Sequence, residues 1–375
     1  MFLNDRLQTR KNDNTYRQLP QNTQQYIDFC SNDYLGLAND ESLKEENIVK
    51  ILQNLHLIKG ATGSRLISGN DPLFEEVEYF LANFFQAEAA LLFNSGYDAN
   101  IGIWSSLAQK NDLIVLDELS HASMIDGARL SKAQRTWFKH NDLEDLVAKI
   151  NQYEHIEQVF IGVESIYSMD GDEAPLEKIA ALCEQKGYHL IVDEAHSTGI
   201  YGSKGEGLVV HKKLQKKVLA RLHTFGKAIN THGAVVVGDY LLKEYLINFA
   251  RPFIYSTAMP LYQLLHLQTQ IEYLIDKGEE KRLNLLQNIT VFEKKMRQYH
   301  EKNLIITQSP IQVFLCPEPQ KAKQIDALLK KEGYYAKAIV APTVPKGKER
   351  IRICLHSFNT EEEINQLCQL LSTKP

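Results

Sequence analysis

Short apolar runs punctuate the middle of the chain, at Ala89 to Phe93, Leu113 to Leu116, Val159 to Val163, His189 to Val192, Leu219 to His223 and Ala234 to Val237. Runs of strand length that are apolar at nearly every position, separated by helical-length segments, predict a parallel sheet buried on both faces. Ahead of them Leu73, Val77, Phe80, Leu81 and Phe84 recur at helical spacing between Pro72 and Phe85, with acids early in the run where the helix dipole favours them. Beyond about residue 260 the pattern changes. Helical periodicity runs from Leu261 to about His300, and short strands follow at Ile311 to Leu315, Tyr335 to Ile339 and Ile351 to Leu355, around helices at Gln320 to Lys331 and Thr360 to Leu371. The pattern predicts an N-terminal segment over 1–40, a large α/β domain over 41–260, and a linking helix with a smaller α+β C-terminal domain over 261–375.

Polar residues cluster just after the apolar runs. Ser95 and Gly96 follow the first, His121 the second, Ser168 the third, Asp193 and His196 the fourth, Thr224 and Lys227 the fifth. Open α/β sheets bind ligands beyond the carboxyl ends of their strands. If these five strands are parallel, their polar ends converge on one site.

Charge and cysteine usage narrow the class. A net charge of -5 gives no reason to expect a nucleic-acid partner. The five cysteines are odd in number and form no C-x-x-C pair, which argues against a zinc site, a redox dithiol or a secreted disulfide framework. No metal site is expected. The N-terminus lacks the apolar core of a signal peptide, and no stretch is apolar and long enough to span a bilayer. The expectation is a cytoplasmic enzyme with no membrane partner.

Two of the strand-end groups carry specific chemistry. Lys227, in Thr224-Phe225-Gly226-Lys227, lies between apolar strands, and a partly desolvated lysine is a better nucleophile toward aldehydes because its pKa falls. Asp193 ends a buried strand and needs a cationic partner, since an isolated buried carboxylate is costly. A protonated pyridine nitrogen is such a partner. Asp193-Glu194-Ala195-His196 also reads as the metal-holding motif of a helicase-like NTPase, but that requires a G-x-x-x-x-G-K-[ST] loop, and the Gly-Lys pairs here are followed by Ala228 and Glu349. A nicotinamide enzyme would need G-x-G-x-x-G after an early strand, and Gly202 to Gly207 has the wrong spacing and follows the fourth run. Asn94-Ser95-Gly96-Tyr97 follows a strand and opens a helix, a placement that suits phosphate.

Taken in order, Ser31-Asn32-Asp33-Tyr34-Leu35-Gly36-Leu37, Gly63-Ser64-Arg65, Ser120-His121-Ala122-Ser123, Ser168-Met169-Asp170-Gly171-Asp172, Asp193-Glu194-Ala195-His196, Thr224-Phe225-Gly226-Lys227 and Tyr255-Ser256-Thr257 make the chain resemble the α-oxoamine synthases. These are fold-type-I pyridoxal-phosphate (PLP) transferases that condense an amino acid with an acyl thioester. The resemblance runs from about Tyr26 to the C-terminus, and it implies a large, mostly parallel-sheet domain with a smaller C-terminal one. Ile254 to Pro260 and Pro342-Thr343-Val344-Pro345 look like the biotin-synthesis branch, which joins L-alanine to a pimeloyl thioester with loss of carbon dioxide. The thioester carrier, coenzyme A or acyl carrier protein, stays open. So do a sister activity that uses glycine and a catalytically silent binding subunit, although the retained Lys227 argues against the last.

By the same resemblance, Lys227 would hold PLP as a Schiff base and shuttle the α-proton, Asp193 would pair with the pyridine nitrogen, and His121 would stack on the ring. Ser168 and His196 would lie near the ring oxygen, and Gly96, Tyr97 and Thr224 near the phosphate. Arg352 would grip the amino-acid carboxylate beside Asn32, while Arg17 and Thr343 would touch the acyl-CoA. The assembly implied is a homodimer with shared active sites, in which the Gly60 to Asn70 stretch and Thr257 reach a neighbour's cofactor. Two departures stand out: Ala228-Ile229-Asn230-Thr231-His232 replaces a Gly-rich stretch, and Ser197 stands where glycine is common. Bulkier side chains there are expected to reshape the entrance.

Overall fold

The structure is a computed structural model that describes residues 2–13, 15–300, 303–305 and 307–372. The chain divides into two compact units, one of residues 35–168 and 173–282, the other of residues 1–34, 169–172 and 283–375.

The larger unit is built on a seven-stranded sheet. In spatial order the strands are Ala89–Phe93, Ala234–Gly238, Ala220–Thr224, His189–Asp193, Val159–Glu164, Leu113–Asp117 and Gln134–Phe138. Five successive strands, from Ala220–Thr224 to Gln134–Phe138, are mutually parallel. Ala234–Gly238 runs antiparallel to both its neighbours, contrary to its place in the expected parallel set. The cause is the connection over 225–233, which turns back on itself through Phe225 N–H to Gly233 O and Thr231 N–H to Phe225 O. It is too short for the crossover that a parallel neighbour needs. Gln134–Phe138 is a strand absent from the expected set.

Helices pack on this sheet through apolar faces, and several are begun by a side chain that accepts an otherwise unpaired N–H. Asp71 caps Pro72–Phe84, Ser95 caps Gly96–Ser106 and Asp239 caps Tyr240–Phe249. Burial of each Val, Leu or Ile in the strands contributes about 1.5–3 kcal/mol. Trp104 is buried against the sheet, over Gly162, where a Cβ would come within 2.5 Å of the Trp104 ring and of Leu116.

The smaller unit holds an antiparallel sheet in the order Lys337–Ile339, Arg350–Cys354, Ile311–Leu315, Leu304–Ile305, covered by the helices Pro319–Lys331 and Glu361–Ser372. The boundaries differ from those expected at residues 40 and 260. Ile27–Asp28 pairs in parallel with Tyr334–Tyr335, and Phe29 O accepts from Cys354 N–H, so the N-terminal segment folds into the C-terminal unit. The long helix Leu261–His300 starts in the larger unit, where Tyr273 and Lys281 both bind Asp40. Among the described residues no helix is long and apolar enough to cross a membrane.

Candidate active site

The carboxyl ends of the parallel strands, with the helix after Ala89–Phe93, surround a cavity of about 250 Å3. Asp193, His196, Thr224 and Lys227 line it, as do Gly96, Tyr97 and His121. The strand-end residues Gly96, His121, Asp193, His196, Thr224 and Lys227 thus lie around one space, with Tyr97 beside them and Ser168 outside the lining.

Asp193 closes its strand and is 6 % exposed. Its Oδ2 accepts from Asn100 Nδ2 at 2.8 Å, and its Oδ1 accepts from Ala195 N–H at 2.9 Å. Those bonds fix the carboxylate plane and leave acceptor capacity toward the cavity. Asn100 also donates to Ser123 Oγ at 2.9 Å, and Ser123 Oγ lies 2.7 Å from His121 Nδ1. With its oxygen already accepting from Asn100, the Ser123 hydroxyl can give its proton to His121. The Ser123 N–H also points at Nδ1, at 3.3 Å. Nδ1 is thus the acceptor, and the neutral imidazole carries its proton on Nε2. Partial burial holds His121 below its ordinary pKa, helped by the Lys227 charge and opposed by Asp193.

Lys227 Nζ is 2.8 Å from His196 Nε2. Gly96 opens the helix Gly96–Ser106, whose first turn is capped by Ser95. A Cβ at Gly96 would fall 2.4 Å from Thr224 Cγ2, so glycine is what lets the backbone approach that strand end. Thr224 Oγ1 is shut from solvent and has no hydrogen-bond partner among the described residues. An orphan hydroxyl beside a helix N-terminus suits a phosphate group. Tyr97 donates to Asp126 at the rim.

Other expected site residues lie elsewhere. Ser168 is buried outside the cavity lining, and its N–H donates to Glu164 Oε2 at 3.2 Å. Thr257 is exposed, with its carbonyl accepting from Asn94 Nδ2. In the smaller unit Arg352 is 8 % exposed, donating from Nη2 to Asn32 Oδ1 at 3.1 Å. Every residue of the strand Arg350–Cys354 is buried, and Arg350 is paired with Asp170. Arg17 and Thr343 are exposed.

The departures from the family pattern are also placed. Ala228 and Ile229 are buried beside Gly199, and Ser197 is buried with its hydroxyl donating to Glu194. They fill the core rather than the entrance, and His232 is the member of that stretch that lines the cavity.

Glu164 went unnoticed in the sequence. It ends the strand Val159–Glu164, pairs in register with Asp193, lines the same cavity and is 2 % exposed. Burial and the Asp193 charge push it up to about 8 against the pull of Lys227. The signal was available, because an acid closing a buried strand is what singled out Asp193. Asn100 and Ser123 carried no such signal, being interior polar positions of helical segments.

Residues 24–371 match the family described as Aminotransferase class I and II. An 8-amino-7-oxononanoate synthase of Emericella nidulans is 39% identical over 92% of this chain and 89% of its own length. One of Haemophilus ducreyi is 39% identical over 92% of this chain and 90% of its own. Among solved structures, a serine palmitoyltransferase of S. paucimobilis with a bound PLP–myriocin aldimine is 27% identical, with a TM-score of 0.86 over 93% of this chain and 87% of its own. An 8-amino-7-oxononanoate synthase of Francisella tularensis is 30% identical, with a TM-score of 0.77 over 93% of this chain and 98% of its own.

Proposed function

Because the chain belongs to the aminotransferase class I and II family, we propose that it is an 8-amino-7-oxononanoate synthase. It would condense L-alanine with a pimeloyl thioester, releasing the thiol and carbon dioxide. The observation that carries this reading is the cavity in which a lysine amine, a hydrogen-bonded aspartate and a phosphate-ready helix start meet. Those residues fit pyridoxal phosphate, which when bound supplies the electron sink for charge developing at the amino-acid α-carbon.

The protein's own groups do the rest. Lys227 would hold the cofactor covalently, take the α-proton of alanine and return a proton to the same carbon after carboxylate loss. His196, hydrogen-bonded to the Lys227 amine, positions it and would lie near the ring oxygen. Asp193, steadied by Asn100 and the Ala195 N–H, keeps the ring nitrogen protonated. His121 would lie against the ring, with burial favouring its uncharged imidazole. The Gly96 backbone and the Thr224 hydroxyl hold the phosphate, with Tyr97 at the rim. Ser168, whose N–H donates to Glu164, would lie near the ring oxygen. For the substrate carboxylate we infer Arg352, whose buried guanidinium is oriented by Asn32. Acyl-thioester contacts by Arg17 and Thr343 rest on resemblance alone. A homodimer with shared sites is part of the same reading.

The deciding experiment crosses alanine, glycine and serine with pimeloyl and longer acyl groups, each on coenzyme A and on acyl carrier protein. Turnover greatest for alanine with a pimeloyl group is the expected result. Greater turnover with serine and a long acyl group would replace this reading with that of a serine palmitoyltransferase, the activity named for the S. paucimobilis relative.

A further inference from the structure

The sheet of the larger unit has a second cavity at its other end, among the starts of the strands Ala89–Phe93, His189–Asp193 and Ala220–Thr224. Its volume is about 960 Å3. Arg221 lines it from the second position of its strand and is 2 % exposed. Arg221 Nη2 reaches Gln86 O at 3.5 Å, but Nη1 has no hydrogen-bond partner among the described residues. Burial brings this guanidinium down to about 10, which leaves it charged at neutral pH. Glu194, the carboxylate acting on it from the core, has its Oε1 committed to Ser197 Oγ and the Val209 N–H, while its buried Oε2 lies 3.7 Å from His223 Nε2.

A second unmet group faces the same space. Gln215 donates from Nε2 to Gln86 Oε1 at 2.9 Å, while its own Oε1 is buried without a partner among the described residues. Lys216 stands exposed on the rim. Two acids on the wall are already engaged, Glu184 with Lys217 at 2.7 Å and Asp239 as the cap of the next helix. Glu88 lies exposed at the edge. Leaving a buried charged donor unmatched is costly, so the pocket is poised for an acceptor.

We propose that this cavity is a binding site for a phosphate group, free or carried on a small organic body, separate from the strand-end site. The phosphate sits on Arg221 Nη1 with Lys216 closing over it, since a fixed guanidinium and a mobile ammonium together match a dianion. A hydroxyl or N–H of the carried body donates to Gln215 Oε1, and Tyr188, Leu190 and Val218 give it apolar contact. None of these residues belongs to the proposed catalytic machinery, so the inference stands whatever the substrate proves to be.

Calorimetric titration of the cofactor-loaded protein with inorganic phosphate, adenosine 5'-monophosphate and succinate tests it. Saturable binding of a phosphate compound is expected, with Arg221→Gln and Lys216→Glu each weakening it about tenfold or more, as the loss of a charged hydrogen bond implies. Equal affinity for inorganic phosphate and the nucleotide assigns the site to the free ion, and tighter nucleotide binding assigns it to a carried phosphate. Should Arg221→Gln fail to fold, Lys216→Glu on the exposed rim carries the test. No saturable binding of either phosphate compound, an unchanged dissociation constant in Lys216→Glu, or succinate bound as tightly as phosphate overturns the proposal.

Discussion

Glu164 and Asp193 sit side by side at the ends of neighbouring strands, yet their surroundings give them opposite roles. Asp193 accepts from Asn100 Nδ2 and the Ala195 N–H. Glu164 accepts on Oε2 from the Ser168 N–H at 3.2 Å, and its buried Oε1 has no hydrogen-bond partner among the described residues. Burial first, and the neighbouring Asp193 charge second, raise the Glu164 carboxyl, so it is the group that keeps its proton. Asp193→Asn, which leaves a neutral amide facing the ring nitrogen, is expected to lower kcat about a hundredfold, roughly 3 kcal/mol for one strong charged hydrogen bond. Near-wild-type turnover in that variant would remove Asp193 from the mechanism. For Glu164 the measurement is stability against pH. Its folded pKa, raised to about 8, lies above the ordinary 4.5, so the folded state holds a proton that the unfolded chain releases. The stability this contributes is full below about 4.5 and is lost as pH rises through about 8. Relative to Glu164→Gln, wild-type stability should therefore fall across that window by on the order of a few kcal/mol. Parallel pH profiles for the two proteins would mean that Glu164 ionises normally.

The elements differ in how plainly the sequence announces them. Buried strands such as Val159–Glu164 are apolar along their length, and the sequence shows them within a residue or two. Gln134–Phe138 is an edge strand whose first two residues are exposed, so neither an apolar run nor a clean alternation marks it. The direction of Ala234–Gly238 was equally hidden, because it depends on how residues 225–233 turn rather than on the strand itself. Strand-end chemistry was legible for Lys227 and Asp193, where an ionisable group closes an apolar run. The Asn100–Ser123–His121 relay was not, since it joins two helices through contacts that only folding creates. Packing between elements sets one further expectation. At Gly162 a methyl group would meet the Trp104 ring and Leu116 Cδ2 at 2.5 Å, and the rigid indole, itself buried, has little room to move aside. Gly162→Ala should cost about 1–3 kcal/mol by overpacking and lower the melting midpoint by several degrees. A midpoint equal to wild type would show that the helix carrying Trp104 shifts freely on the sheet.

At the scale of the whole molecule, part of the surface of the larger unit looks made for covering. Leu66, Ile67 and Tyr255 are 51%, 85% and 70% exposed, in the two segments that have no place in the sheet. Those segments are tied together, with Ala258 N–H donating to Gly63 O at 2.9 Å, and Thr257 between them is exposed. Clustered apolar exposure of this kind marks an interaction surface. In the homodimer proposed above, it is the subunit boundary, and Thr257 contributes its hydroxyl to the partner's phosphate rather than to its own cavity. Mixing Lys227→Ala protein with Thr257→Ala protein separates the two arrangements, once each parent is shown to be impaired and the subunits to exchange. If Thr257 serves the partner, a mixed dimer has one site with both lesions and one site with neither. Activity should then recover toward half that of the wild-type dimer in the mixed species. A verified mixed dimer with no recovery means that each lesion stays in its own subunit's site. Thr257 would then act within its own chain, and the exposed segments would need another reason to be apolar.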